Sequence, residues 1–254
     1  MELNDIRYDE NFAVVQANKL LRSKQEELTL LEVKLIRLII SQVLKEDKDF
    51  RTYRCNITDL AEYLGITADN IYKVADDTTT RLMKKLIRIP KPGKRGKENY
   101  EKFHWVDYAN YTDGVILIRL SSDLKPYLLG LDALFTRYSY EAIMELPTGN
   151  SIRLYELLAS YQNLTVRSDP QNTPTIPCSK NEIPFDITWL RGFFNCENKY
   201  PNTADFIKRI IEPSVTAIKN QTLMRVSYRS VKSGRSITHI VFKLHAWGDT
   251  TYNK

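Results

Sequence analysis

Cysteine is scarce in this chain and follows no pattern. Cys55, Cys178 and Cys196 are the three cysteines among 254 residues, far apart and without a Cys-x-x-Cys pair. That argues against a disulfide framework or a cysteine zinc site, and it predicts a reducing, cytoplasmic setting. Histidine is as thin, with His104, His239 and His245 only. None forms the His-hydrophobic-His cluster that holds the metal of a tyrosine nickase, and His104 and His239 sit in predicted strands as structural residues. Fifteen tyrosines are no evidence of that chemistry by themselves. No stretch reaches the roughly 18 apolar residues of a membrane span, and Met1–Arg7 carries acids without an apolar core, so no secretory signal is expected. A phosphate-binding loop is also missing. Lys91-Pro-Gly-Lys-Arg-Gly-Lys97 lacks the GxxxxGK[ST] spacing and follows a predicted helix instead of a strand, so it reads as a basic loop. No catalytic residue, metal or cofactor is therefore expected.

Acid is absent locally, which is more telling. Net charge is only +6, with a pI near 9.0, which permits a polyanionic partner without establishing one. Yet Thr78–Lys97 contains no Asp or Glu, while it holds Arg81, Lys84, Lys85, Arg88, Lys91, Lys94, Arg95 and Lys97. Pro213–Gly248 is again free of acid, against Lys219, Arg225, Arg229, Lys232, Arg235 and Lys243. In a chain with 31 acids, two such tracts indicate two surfaces facing a polyanion; two merely solvated faces are the bland alternative.

What is present reads as one plan used twice, in a length that suits one large domain or two average ones. Thr29 and Glu32 have capping-box spacing at the start of a helix running to about Leu44. That helix is apolar on most sides (Leu31, Val33, Leu35, Ile36, Leu38, Ile39, Ile40, Val43), so it belongs at the centre of its domain or in a subunit interface. Arg51–Ile57 is strand-like. Thr58 can cap a short helix, Gly65 can end it, and Thr67 can cap the next, which is the helix-turn-helix pattern. The second helix is predicted over 69–89, with Ile71, Val74, Ala75, Leu82 and Leu86 inward and Asn70, Lys73, Asp77, Arg81, Lys84 and Arg88 outward. A hairpin follows, Lys102–Tyr111 returning as Val115–Leu120 around Asp113-Gly114, a favoured tight turn.

The second half repeats the order. Ser151–Tyr161 is an amphipathic helix, Asn163–Asn181 a Pro-rich loop, and Phe185–Phe194 a short helix. Asn202 or Thr203 caps a longer helix to Asn220. Its inner face is Ile207, Ile210, Ile211, Val215 and Ile218; its outer face is Asp205, Lys208, Arg209, Glu212, Thr216 and Lys219. Pro213 lacks an N–H and crowds the carbonyl of Arg209, which predicts a kink or two abutting helices. Leu223–Val231 and Ser236–Leu244 then form a hairpin with Lys232-Ser-Gly-Arg235 at its tip. The expected fold is α+β, two tandem winged-helix domains over 1–130 and 131–254.

That arrangement suits DNA. A helix fits the major groove, where an Arg can fork onto guanine, and cations on helix and wing displace counterions from phosphates. The candidate DNA-binding residues are Asn70, Lys73, Arg81, Lys84, Lys208, Arg209, Lys219, Arg229, Lys232 and Arg235. Arg81 and Arg209 are the candidates for base contacts, Lys232 and Arg235 for backbone. Asp76 and Asp77 on the first helix either accept from cytosine or face away from the duplex.

Phe206–Asn220 with its hairpin resembles the iteron-binding plasmid replication initiators. Leu28–Leu35, Asp123–Leu131, Leu134–Tyr138 and Ser151–Leu158 are also similar, so the resemblance spans about residues 12–245. Ala217 departs from it, where members often carry an acid. The resemblance implies two winged-helix domains, binding to tandem repeats at a plasmid origin, origin opening, and recruitment of the host initiator and helicase. It also implies dimers through the first domain that repress the initiator's own promoter, with monomers acting at the repeats. The nearer rival is a winged-helix transcriptional regulator, which shares the DNA chemistry; two unequal winged helices without a ligand-binding or receiver domain favour the initiator.

Overall fold

The computed structural model describes residues 3–8, 12–65, 71–91, 99–162, 176, 178–179 and 181–245. They fall into two compact units, Met1–Met144 and Glu145–Lys254. Among the described residues no helix is long and apolar enough to cross a membrane.

The first unit opens with β1 (Leu3–Asp5), β2 (Ala13–Ala17), α1 (Asn18–Leu21) and β3 (Lys24–Gln25). Helix α2 (Leu30–Ser41) starts at the expected capping box. The Thr29 hydroxyl accepts from the Glu32 N–H at 3.3 Å, and the Glu32 carboxylate accepts from the Thr29 N–H at 2.8 Å. Val33, Leu35, Ile36, Leu38, Ile39 and Ile40 are all buried within the unit, each stabilising it by roughly 1.5–3 kcal/mol relative to exposure. The helix thus resolves to the centre of its own unit, and these side chains are not left as an interface. Arg37 is buried with them, its guanidinium 5.0 Å from the Trp105 ring centroid.

Next come β4 (Thr52–Asn56) and α3 (Ile57–Leu64). The cap is Asn56, not Thr58: the Asn56 side chain accepts from the Thr58 N–H at 2.9 Å. Gly65 ends α3 at φ +68°, the left-handed conformation that its missing Cβ makes cheap. Helix α4 (Ile71–Lys84) stops five residues before the predicted end. From Leu86 the chain forms β5 (Leu86–Lys91), because β-branched Ile87 and Ile89, both fully buried, alternate with outward Leu86 and Arg88 at a period of two. β6 (Asn99–His104) pairs with β5, and β7 (Val106–Thr112) pairs with β8 (Val115–Leu120). The strand predicted over Lys102–Tyr111 is therefore two strands, parted at the fully buried Trp105. Asp113 and Gly114 both take positive φ, +50° and +79°, as a two-residue hairpin turn of the favoured hand requires.

A 3₁₀ turn (Ser122–Leu124) and α5 (Lys125–Leu128) lead to β9 (Phe135–Ser139) and α6 (Tyr140–Glu145). β9 pairs antiparallel with β2, so the first compact unit runs past the boundary predicted at 130 and ends at Met144. The pairing is reinforced by side chains: Gln16 donates to the Tyr138 hydroxyl and Thr136 to the Asn18 side chain, each at 2.6 Å and buried.

The second unit begins with α7 (Gly149–Ala159), capped by Thr148, and continues through β10 (Glu182–Asp186) and α8 (Ile187–Phe193). Phe185, predicted to start the short helix, is in the strand; Asp186 caps α8 by accepting from the N–H groups of Thr188 and Trp189. Nearly all of the loop predicted over 163–181 lies outside the described residues. Asn202 caps α9 (Thr203–Phe206), a π-helical stretch follows over Ile207–Ile211, and α10 (Glu212–Gln221) completes the run. At Pro213, where a kink or two abutting helices is expected, α9, the π stretch and α10 abut, and Pro213 falls in the first turn of α10, where a missing N–H is tolerated. β11 (Val226–Ser233) and β12 (Ser236–Leu244) close the unit.

The repeat in the sequence is a repeat in topology. The strand before each helix pair lies beside the last strand of the following hairpin, in the order β4-β8-β7 in the first unit and β10-β12-β11 in the second. Helix, strand, two helices and a hairpin joined in this way make each unit a winged helix, and the whole chain α+β.

Candidate nucleic-acid interface

In the first unit Lys73 and Lys84 are exposed on α4, as are Asp76 and Asp77, so that face is electrically mixed. Asn70 lies outside the described residues. Arg81 is exposed, but its Nε donates to Glu32 Oε1 at 2.6 Å, and Glu32 is completely buried. The carboxylate that caps α2 thus also holds Arg81, fixing one edge of the guanidinium toward the protein. Arg88 is not on the helix at all; it stands on β5.

The second unit gathers its candidates better. Lys208, Arg209 and Lys219 are all exposed, while Ile210, Ile211, Val215 and Ile218 are buried. Lys208 and Arg209 lie within the π stretch, whose extra residue per turn moves them off the helical phase that α10 would set. The Arg209 guanidinium sits 5.9 Å from the centroid of the Tyr200 ring. Lys232 and Arg235 are exposed on either side of the wing turn, where Gly234 takes φ +60°. The β11–β12 register shifts after Val231; such an irregularity bends a hairpin and re-aims its tip.

Arg229 is a different case. It meets Glu182 through two bonds, Nε to Oε1 at 3.1 Å and an Nη to Oε2 at 3.2 Å, clasping β11 to β10. The Glu182 carboxyl is held down at about 2, first by Arg229 and then by the Ser179 N–H. A carboxyl whose folded pKa is depressed adds stability that is present above its ordinary pKa and is lost as pH falls toward the folded one. Glu182→Gln should therefore melt below the parent at neutral pH, and the gap should close between pH 4.5 and about 2. Paired thermal melts across that window check it; a gap that persists to the acid end would show that the clasp is not ionic.

Sequence reasoning missed Arg191. It donates to the carbonyls of Cys196, Lys199 and Tyr200 at 3.3, 2.9 and 2.8 Å, and its guanidinium lies 5.1 Å from the Phe206 ring centroid. One side chain thus pins the connection between α8 and the recognition helix, including Tyr200, on which Arg209 leans. No local signal announces it, because its partners are carbonyls that any residue would supply.

Among the described residues no group of three or more His, Cys, Asp or Glu could hold a metal ion. Burial pushes the Tyr53 and Tyr155 hydroxyls up to about 12, the reverse of nucleophile activation. Exposed cations stand on a helix in both units, and at the tip of a hairpin in the second.

Comparison with known proteins agrees with this frame. The profile described as initiator replication protein, WH1, matches residues 13–159, and the one described as initiator Rep protein, WH2, matches residues 186–244. A replication initiation protein of Escherichia coli is 29% identical over 235 residues, covering 91% of this chain and 69% of its own. The crystal structure of Pi initiator protein in complex with iteron DNA superposes with a TM-score of 0.65 at 17% identity, over 93% of this chain and 98% of that one. At that identity the likeness speaks for the fold.

Proposed function

Because the chain belongs to the initiator replication protein family, both of whose winged-helix domains it contains, we propose that it binds double-stranded DNA at tandem repeats of a plasmid origin, opens the origin and recruits the host's initiator and helicase. Its activity is binding and assembly, without catalysis. The observation that carries this reading is the second unit's outer face, with Lys208, Arg209 and Lys219 exposed on the helix and Lys232 and Arg235 exposed at the wing tip. The second unit supplies most of the specificity, with Arg209 at a base edge. The first unit adds contacts through Lys73 and Lys84 and carries the homodimer that represses the initiator's own promoter. Since α2 is closed inside its unit, that dimer uses another surface; sedimentation velocity of the full chain reads it, and a strict monomer at every concentration rejects it. The Pi initiator was crystallised with iteron DNA, which makes repeats of this kind the natural ligand to test. Footprinting on the DNA beside the gene is the direct experiment: protection of tandem repeats about two helical turns long supports an initiator, and protection of a single promoter site alone supports a regulator.

The wing has its own expected signature. The logarithm of affinity falls with the logarithm of salt at a slope of about −0.9 per phosphate contact. Lys232→Ala should weaken cognate and random duplex alike and make that slope shallower by about one contact. Titrations between roughly 50 and 200 mM salt measure it; a flat response in the parent would mean that these cations do not face phosphate.

A further inference from the structure

Glu32 ties the start of α2 to the outer face of α4. Its side chain has no solvent exposure, and both carboxylate oxygens are engaged. Oε2 accepts from the Thr29 N–H at 2.8 Å and Oε1 from the Arg81 Nε at 2.6 Å. A carboxylate taken out of water is tolerated when its lone pairs are answered in this way. Arg81 has a nearer acid. Asp77 is exposed one turn before it on α4, at the i,i+4 spacing where a solvated pair ordinarily forms. Among the described residues Arg81 pairs with Glu32 instead, 49 residues away. That bond takes the Nε edge of the guanidinium. The two Nη groups make no hydrogen bond among the described residues. Ala75, Thr78 and Leu82 are buried on the inner side of the same helix, so α4 cannot roll to aim that edge elsewhere.

We propose that Glu32 is a positioning residue for DNA recognition by the first unit, presetting the Arg81 guanidinium so that its two Nη groups meet a guanine edge as a fixed fork. Guanine offers O6 and N7 as a planar acceptor pair of one direction, and a donor plane fixed beforehand gives up less freedom on meeting it. A phosphate accepts from many directions and is served as well by a lysine. The proposal rests on the reading that the chain binds duplex DNA and deepens it, since Glu32, buried as it is, acts only through Arg81.

The test is a double-mutant cycle on the full chain, titrated by anisotropy against a duplex of the origin repeats and a random duplex of equal length. Glu32→Gln keeps an oxygen for the Thr29 N–H, but then turns its amide N–H toward the Arg81 Nε and releases the guanidinium. It should bind the repeats several-fold more weakly and the random duplex as the parent does. Arg81→Ala should lose roughly tenfold on the repeats. Glu32→Gln/Arg81→Ala should bind them as Arg81→Ala does, because nothing is left to position. Arg81→Lys leaves the charge and the core in place without the fork, and should lose about as much on the repeats as Arg81→Ala. Glu32→Gln or Arg81→Lys that binds the repeats as the parent does overturns the proposal. So does equal loss on both duplexes, or a double variant weaker than Arg81→Ala by the full Glu32→Gln factor. A parent that binds neither duplex overturns the reading of function instead.

Discussion

Phe206→Ala should lower the stability of the second unit by about 3–5 kcal/mol, the usual cost of emptying a large buried aromatic site. Phe206 is completely buried at the end of α9, where the π stretch begins, with the Phe194 ring 6.3 Å away and the Arg191 guanidinium 5.1 Å away, centroid distances in each case. Its loss removes the packing against which the recognition helix is set and leaves Arg191 beside a void. Denaturant unfolding followed by tryptophan fluorescence reads the effect, since Trp189 lies in α8 of the same unit. A loss under about 1 kcal/mol would show that the helix is held by Ile211 and Ile218 alone and that this aromatic contact is incidental.

Arg209→Ala should cost about 1–3 kcal/mol of binding on the cognate repeat and relax discrimination at one base position. The side chain is exposed beside buried Ile210 and Ile211, so its removal spares the core, and the variant should melt like the parent. Among the described residues, its removal gives up the distant approach to Tyr200, 5.9 Å from the ring centroid. Competition titrations against repeats substituted one base pair at a time give both the affinity and the specificity. Should the variant unfold the unit, or bind cognate and substituted repeats with unchanged affinity, the assignment of this helix's outer face is mistaken. Arg81→Ala is expected to differ in kind, because Arg81 also answers the buried Glu32, so part of its effect should appear in stability.

Much of the second unit is legible in the sequence. The outer and inner faces of Ala204–Asn220 follow from helical spacing: Lys208, Arg209 and Lys219 are exposed as expected, while the π stretch shifts the phase of the first two and leaves Ile207 only half-buried. The wing turn follows from Ser233-Gly234, and the Asp113-Gly114 turn from the same chemistry. The first unit was harder. Arg88 falls at helical spacing with Arg81 and Lys84, and only the pairing of β5 with β6 shows that the chain had already changed period. Glu32 was legible as a cap but not as the partner of Arg81, 49 residues away; Arg229 finds Glu182 across 47 residues.

The division follows the range of the forces involved. Caps, left-handed turns, amphipathic faces and acid-free tracts depend on residues a few positions apart, so the chain alone determined two copies of helix, strand, helix pair and hairpin, and where its positive charge concentrates. Which cations are held by buried or partnered carboxylates, where Trp105 parts two strands, and that Phe135–Ser139 returns to Ala13–Ala17 were decided by the tertiary structure. Each of these joins residues far apart in sequence through the closing of a core, and no local spacing encodes which partner the core will bring near.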